Sequence, residues 1–517
     1  MAEAGPLNVW RGRERRERLA LQADVVVVGS GAGGAVVAHE LARAGHRVVI
    51  VEEGDWVKPT EYGALTPVQT MRRCWREAGL SAAVALGETP FISVLQGKCV
   101  GGSSVLTGGV CFRIPDEVLH HWSRDLGLET MSPEGLEPHF RTVEEAIHVE
   151  VVPDAMRSHS TELFVEGAAK LDIPMKSIRR NTSGCHGESR CNFGCPHGAK
   201  MSVDFSYLPG ACANGALILS DALVERVDVT GGMARGVRGR LLDADGERTV
   251  PFEVRAKLVV VACGSLHTPL LLQASGVGGG HLGRHMTLHP AVRVSATFDE
   301  SVDGWDGSLQ SVYSDRFAAD GITLVSVYPP PSILSAAFPG IGPRHRENVH
   351  KMPHVAVFGA MIHDHGGGRV RRWLGREPLV TYRMAPEDRP RLMRAMEIVA
   401  RMGFSAGARE VAMPIFGLEP LRSVRELDDF AARPPAMHRV ECTAYHPLGT
   451  ARMSADRRAG VVRESGETWQ VANLFVADGS VLPTSIGVNS QVAIMALADK
   501  IARGIAADWS RLARRAA

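Results

Sequence analysis

Long apolar runs are missing from this 517-residue chain. The candidates at 25–28, 258–263 and 492–498 fall far short of the ~20 residues of a membrane helix, so no integral membrane segment is expected. An excess of either charge is missing too. The chain has 58 Lys and Arg against 57 Asp and Glu, a formal net charge of +1. That gives nucleic acid no electrostatic footprint and excludes a solvating acidic tail. Lysine is scarce, 8 of the 58 basic residues, a bias read as compositional. Cysteine is too sparse for a disulfide scaffold and odd in number, nine in all, which makes a reducing cytoplasm the default. The basic N-terminus has no apolar stretch before the first strand, so a secretory signal is not expected, and Arg15–Arg16 match a twin-arginine signal poorly. What is plentiful is glycine, 55 residues, as is usual where tight turns close on a cofactor. With 45% hydrophobic and 22% charged residues the chain is globular, and its length calls for two domains or one large enzyme with insertions.

Residues 1–22 read as a polar arm, helical at best. The segment after it parses as a strand at 24–28, a glycine turn, a helix at 33–44 stopped by Gly45, and a strand at 47–52. This is a βαβ unit. Its turn, Gly29-Ser30-Gly31-Ala32-Gly33-Gly34, fits G-x-G-x-x-G with Gly29, Gly31 and Gly34. The first glycine permits the tight turn, the second lets backbone N–H groups approach a pyrophosphate, and the third lets helix and strand pack closely. Glu52, 18 residues after Gly34, stands where a carboxylate accepts from ribose hydroxyls and disfavours a 2′-phosphate. The motif by itself does not separate FAD from NAD(P). Further on, 116–180 reads as helical and polar, and strands with Gly-Gly and Asp-Gly turns follow from 217 to a strand at 258–263. A strand at 322–328, a proline-bounded apolar loop at 329–343, a helix at 388–402, a strand at 474–477 and a helix at 491–514 complete the reading. The loop, with Ile333, Leu334, Ala336, Ala337 and Phe338, lines a greasy tunnel or is a packed connection. Arg369, Arg371 and Arg372 read as a solvated face.

Several separated blocks together resemble the glucose–methanol–choline (GMC) oxidoreductases, FAD enzymes that oxidise alcohols. Gly97–Gly109 is similar to the family's second glycine block, and 258–278 to its strand–helix block. Tyr445–Met453 and 473–502 are similar to its C-terminal catalytic and flavin blocks. The resemblance implies an α/β fold: a Rossmann-type FAD-binding domain plus an α+β substrate domain with an antiparallel sheet. The first would be built from 23–115, 196–290 and 441–517, the second from 116–195 and 291–440. It implies His446 as the catalytic base and Asn489, 43 residues further on, as its polar partner. The implied cofactor contacts are Gly29, Gly31, Gly34, Glu52, Gly101, Gly102, Ser103 and Thr107, then Val224, Gly264, Asp478 and Gly479. An acid after a strand, as at Asp478, contacts ribityl or phosphate groups or makes a simple Asp-Gly turn. Thr107 replaces a residue that in some branches is a flavin-linked His, so FAD is expected to be non-covalent. Ser490 stands where relatives often have Pro.

Alcohol oxidation needs a hydride acceptor, which no side chain supplies, and a base, most often His. The expected function is therefore FAD-dependent oxidation of an apolar alcohol of lipid or sterol-like size, with oxygen or a redox carrier as electron acceptor. A non-redox lyase on the same scaffold and a flavin-binding redox partner are the rivals. Cys185, Cys191 and Cys195, spaced C-x5-C-x3-C-P, leave three readings open. They are an iron–sulfur cluster, zinc with His186 or His197 as a further ligand, or free thiols.

Overall fold

The computed structural model describes residues 5–336, 338, 340–373 and 377–516. The valines at 25–28 are buried on both sides, as a central parallel strand requires. They end the strand Leu19–Val28, which pairs in parallel with Val48–Val51 on one side and Arg248–Val261 on the other. Beyond Val48–Val51 lie Leu217–Ser220 and Val9–Arg11, both parallel. Beyond Arg248–Val261 the sheet continues antiparallel through Met233–Leu242 and Ala222–Thr230. Leu474–Val476 pairs in parallel with the end of Arg248–Val261 and completes eight strands. The helices Ala32–Arg43, Gln491–Ala507 and Pro133–Ala146 stack in that order beside this sheet, with Leu136, Phe140 and Val143 in its core.

Two expectations change here. The arm expected at 1–22 enters the sheet: Val9–Arg11 is an edge strand, and the strand expected at 24–28 begins at Leu19. Residues 19–22 alternate between half-buried and exposed, and at a sheet margin such alternation looks like a polar arm in sequence. Residues 1–4 lie outside the described residues. The C-terminal helix expected at 491–514 is two helices, Gln491–Ala507 and Trp509–Ala516, parted at Asp508.

The second sheet has eleven strands. Ala291–Thr297 lies at its centre, antiparallel to Val355–Ile362 and to Glu441–Ala444. Ile322–Ser326 follows on one side. Phe91–Val94, Ala82–Ala85 and Pro378–Tyr382 follow on the other. The sheet is not wholly antiparallel, because Phe91–Val94 runs parallel to Glu441–Ala444, and Ala82–Ala85 to Pro378–Tyr382. These partners come from distant stretches of chain, so no hairpin fixes their direction. Glu441–Ala444 and the strands at 82–94 thus pair in this sheet, although sequence grouped them with the flavin segments. The helix Asp388–Ser405 buries Leu392, Met396 and Val399 against one face. The apolar loop expected at 329–343 holds the helix Pro331–Ala336, and another helix begins at Pro343, as proline at a first turn allows. Ala337 lies outside the described residues. Among the described residues no helix is long and apolar enough to cross a membrane.

Candidate active site

The C-terminal ends of the parallel strands open onto a cavity of about 790 Å³, where open α/β sheets place their ligands. Gly29 turns the chain at φ +101°, and a Cβ there would stand 2.2 Å from the Ala262 carbonyl oxygen. A Cβ on Gly33 would stand 1.8 Å from Ala477 O, and one on Gly34 1.9 Å from Gly29 O. Close packing therefore needs Gly33 as well as Gly34. Gly31 is different: its Cβ would meet only Gly102 Cα, at 3.8 Å, and the residue lines the cavity. The protein has room for a side chain there, and a bound pyrophosphate would not. The helix Ala32–Arg43 starts at this wall, and its first N–H groups have no partners within the helix.

Glu52 is buried with both oxygens engaged. Oε1 accepts from Gly54 N at 2.9 Å, and Oε2 accepts from Ser30 N at 2.9 Å and from Ser30 Oγ at 2.7 Å. Burial raises its carboxyl above the usual range. Ser30 Oγ in turn accepts from Gly101 N at 3.0 Å, so Glu52 ties the first glycine block to the second. Gly101 and Gly102 have φ of +93° and +55°, and a Cβ on Gly102 would stand 2.7 Å from Gly31 Cα. The blocks thus meet backbone to backbone. Ser103 Oγ accepts from Gly97 N at 2.9 Å. Val224 lines the cavity from Ala222–Thr230, beside a break in strand register. Asp478 is buried, and its carboxylate accepts from Gly264 N at 2.9 Å, from Ser480 N at 2.8 Å and from Thr268 Oγ1. It joins the Gly264 turn to the turn that starts at Gly479, and burial raises its pKa. Two glycine blocks in backbone contact, a helix N-terminus and a wall that a Cβ at Gly31 would fill form a cradle that fits FAD.

His446 and Asn489 meet in the same cavity. Asn489 Nδ2 lies 3.3 Å from His446 Nε2. An amide nitrogen only donates, so Nε2 accepts and the ring proton sits on Nδ1. Burial, with a smaller contribution from His289, pushes the imidazole pKa down to about 3, so the ring is neutral at physiological pH. The sequence reading missed what stands behind this pair. His289 is wholly buried, its ring centroid is 5.4 Å from that of His446, and its Nε2 accepts from Ile486 N at 3.2 Å and Gly487 N at 3.1 Å. Those two residues belong to the turn that presents Asn489. Asp364, also buried, accepts from Leu288 N at 3.1 Å, His289 N at 3.0 Å and Ser485 Oγ at 3.2 Å, and from the Tyr382 hydroxyl. A histidine and an aspartate in two different loops carry no local spacing signal. Gln491, where Gln491–Ala507 begins, accepts from Thr107 Oγ1 at 3.0 Å, while its buried Nε2 is unpartnered beside the cavity.

The cysteine loop backs onto the second glycine block. Cys191 Sγ accepts from Arg180 Nη2 at 2.9 Å, and Arg180 Nε donates to Gly108 O at 2.8 Å. Lys200 is buried and donates to the carbonyls of Val105, Thr107 and Cys191, and burial pushes its pKa down to about 8. Burial also raises the thiol pKa of Cys185. Among the described residues no group of three or more His, Cys, Asp or Glu is placed to hold a metal ion. Neither the cluster nor the zinc reading finds support in the arrangement of Cys185, Cys191 and Cys195. His186 and His197 stack on each other, centroids 4.1 Å apart, and His197 is beside Glu188. All nine cysteines are free. Of the expected arginine face, Arg369, Arg371 and Arg372 are exposed as expected, and Arg372 also borders the cavity.

A parallel sheet with a glycine cradle, whose cavity is completed by a second sheet and a His–Asn pair, fits a dinucleotide-dependent oxidoreductase. The chain belongs to the GMC oxidoreductase family, matched over residues 23–291 and again over 376–498. An uncharacterized GMC-type oxidoreductase of Mycobacterium tuberculosis is 40% identical over 485 residues, covering 93% of this chain and 75% of the relative. The long-chain-alcohol oxidase FAO1 of Arabidopsis thaliana is 28% identical over 533 residues, covering 97% of this chain and 68% of the relative. The crystal structure of pyridoxine 4-oxidase from Mesorbium loti superposes with a TM-score of 0.69 at 20% identity, covering 93% of this chain and 98% of that one. A formate oxidase of Aspergillus oryzae gives 0.72 at 17% identity, with 95% and 99% covered. These likenesses show the fold, and family membership makes the protein an oxidoreductase acting on CH–OH donors.

Proposed function

We propose that the protein oxidises a largely apolar alcohol of lipid-like size to its carbonyl. The observation that carries this reading is a neutral, half-buried His446 whose Nε2 faces the Asn489 amide inside the cavity. FAD, when bound, supplies the hydride acceptor that no side chain provides. An alcohol oxygen placed between the two side chains accepts from Asn489 Nδ2 and gives its proton to His446 Nε2. Their mutual contact of 3.3 Å is long for a hydrogen bond and is replaced by two contacts to that oxygen. Burial strengthens both, because the wall excludes water. His289 and Asp364 hold the Asn489 turn from behind. Leu309, Val325, Val327 and Ile333 give the cavity an apolar wall. Thr107 offers no imidazole for a covalent link, so FAD is held non-covalently. The long-chain-alcohol oxidase relatives favour oxygen as the electron acceptor.

The test is anaerobic titration of the flavin-loaded protein with primary alcohols of increasing chain length, followed by a pulse of oxygen. Bleaching of the flavin absorbance that strengthens with chain length, and its return with oxygen, is the expected result. A lyase or a flavin carrier would leave the absorbance unchanged. Acid should release the flavin with no covalent remnant.

A further inference from the structure

Five arginines line the cavity: Arg76, Arg226, Arg248, Arg293 and Arg372. Arg76 is paired with Glu53 at 2.8 Å and Arg248 with Glu225 at 3.3 Å. Arg226 and Arg372 are exposed. Arg293 is neither. It is half-buried, and among the described residues it has no hydrogen bond, no ion pair and no ring contact. Its place follows from strand alternation. Val292, Val294 and Ala296 point into the second core, so Ala291, Arg293 and Ser295 are on the opposite face. Arg293 stands opposite Gly359, and Gly359 opposite Val325, in one row across three strands. A Cβ on Gly359 would stand 2.8 Å from Val325 O, so the floor beside the arginine stays bare. Val325 and Val327 stand beside that floor. A half-buried cation that no side chain of the protein pairs with is open to an anionic group of a ligand.

Resting on the alcohol-oxidising reading, we infer that the substrate carries a carboxylate, held by Arg293, at the end of an aliphatic spacer. A guanidinium fork matches a planar carboxylate in two parallel hydrogen bonds. The spacer follows from the register. Ala291 pairs with Thr443 in antiparallel strands. Arg293 lies two residues to one side of that pair and His446, just past the end of its strand, three to the other, roughly 15 Å between their backbone positions. The chemistry at the carbinol is unaltered: its C–H and O–H bonds break, the C=O bond forms, His446 takes the proton, and the hydride would go to the acceptor that bound FAD supplies. The carboxylate is not consumed.

The experiment compares 10-hydroxydecanoate with decane-1,10-diol in anaerobic flavin reduction by wild type, Arg293→Met and Arg293→Lys, with flavin content confirming that each variant is folded. Wild type should favour the hydroxy acid in kcat/KM by roughly 10- to 100-fold, the worth of a charged hydrogen-bonded pair. The difference should lie mainly in KM. Arg293→Met should bring the ratio close to one, and Arg293→Lys should keep part of it. Decanoate, which has no hydroxyl, provides a readout without turnover. It should perturb the flavin spectrum of wild type and do so far more weakly in Arg293→Met. Bleaching by both alcohols with a ratio that Arg293→Met does not change would overturn the inference and leave the alcohol reading standing. Arg293-dependent binding of decanoate with no bleaching by any alcohol would do the reverse.

Discussion

The two ends of the cavity are built in different ways. At the dinucleotide end almost every contact is made by backbone. Gly29, Gly33 and Gly34 abut carbonyl oxygens, Gly102 abuts Gly31, and the buried acids Glu52 and Asp478 are spent on N–H and hydroxyl groups of the turns they join. At the alcohol end the contacts are made by side chains from four separate stretches: His289, Asp364, His446 and Asn489. The first end tolerates almost no added atom. The second tolerates change of shape but not of hydrogen-bonding type. Mutations at the first end should therefore act on folding and flavin retention, and those at the second on rate.

The largest effect is expected from Gly33→Val. Its Cβ would overlap Ala477 O, a backbone atom that cannot swing away, so the variant should yield no folded, yellow protein. Gly31→Val separates space from ligand: it should fold with near-native circular dichroism but lose FAD on gel filtration. Retention of a full complement of flavin by Gly31→Val would remove the pyrophosphate from that wall.

At the other end, His446→Ala should keep its flavin and slow anaerobic reduction by about 10²–10⁴-fold, the span of a general base. An unaltered rate constant in stopped-flow would assign the proton to another group. Asn489→Ala removes one neutral hydrogen bond and should slow the same step by only about 10-fold.

The smallest effect is on stability against pH, and here the two ends have opposite signs. Burial lowers the pKa of His289 and of His446 to about 3. The unfolded chain therefore binds more protons below the free-histidine value of about 6.5. The contribution of these rings is present above that pH and is lost as pH falls, by up to about 1.4 kcal/mol per pH unit for each ring. Glu52 and Asp478, with raised pKa values, hold protons that the unfolded chain releases, and their contribution is lost as pH rises past the usual carboxylate range. His289→Gln, whose amide oxygen can accept from the same turn, should flatten the acid side of a melting-temperature profile. An unchanged slope would mean that His289 is protonated in the folded protein.

Much of the dinucleotide end was legible because its physics is local. The valine run, the glycine spacing and Glu52 lie within 30 residues, and strand, turn and helix periodicities each leave a mark in sequence. The lower edge of that reading failed where half-exposed strand residues at 19–22 look like an arm. The cysteine spacing was legible as a pattern but not as a geometry, since Cys191 turns its sulfur to Arg180. His446 and Asn489 were legible only through resemblance to a family, because nothing in their spacing requires them to meet.

The sequence by itself determined the strand–turn–helix–strand order around Val28 and the glycine turn that follows it, since these depend on φ and on hydrophobic period. Only the tertiary structure decided that Glu52 is occupied by Ser30 and Asp478 by Gly264 and Thr268, that His289 and Asp364 stand behind the Asn489 turn, and that Arg293 faces the cavity without a partner. Each of those facts is a pairing, or the lack of one, between residues far apart in the chain. Burial makes such pairings consequential, because a polar group removed from water must find its partner wherever the fold happens to bring one.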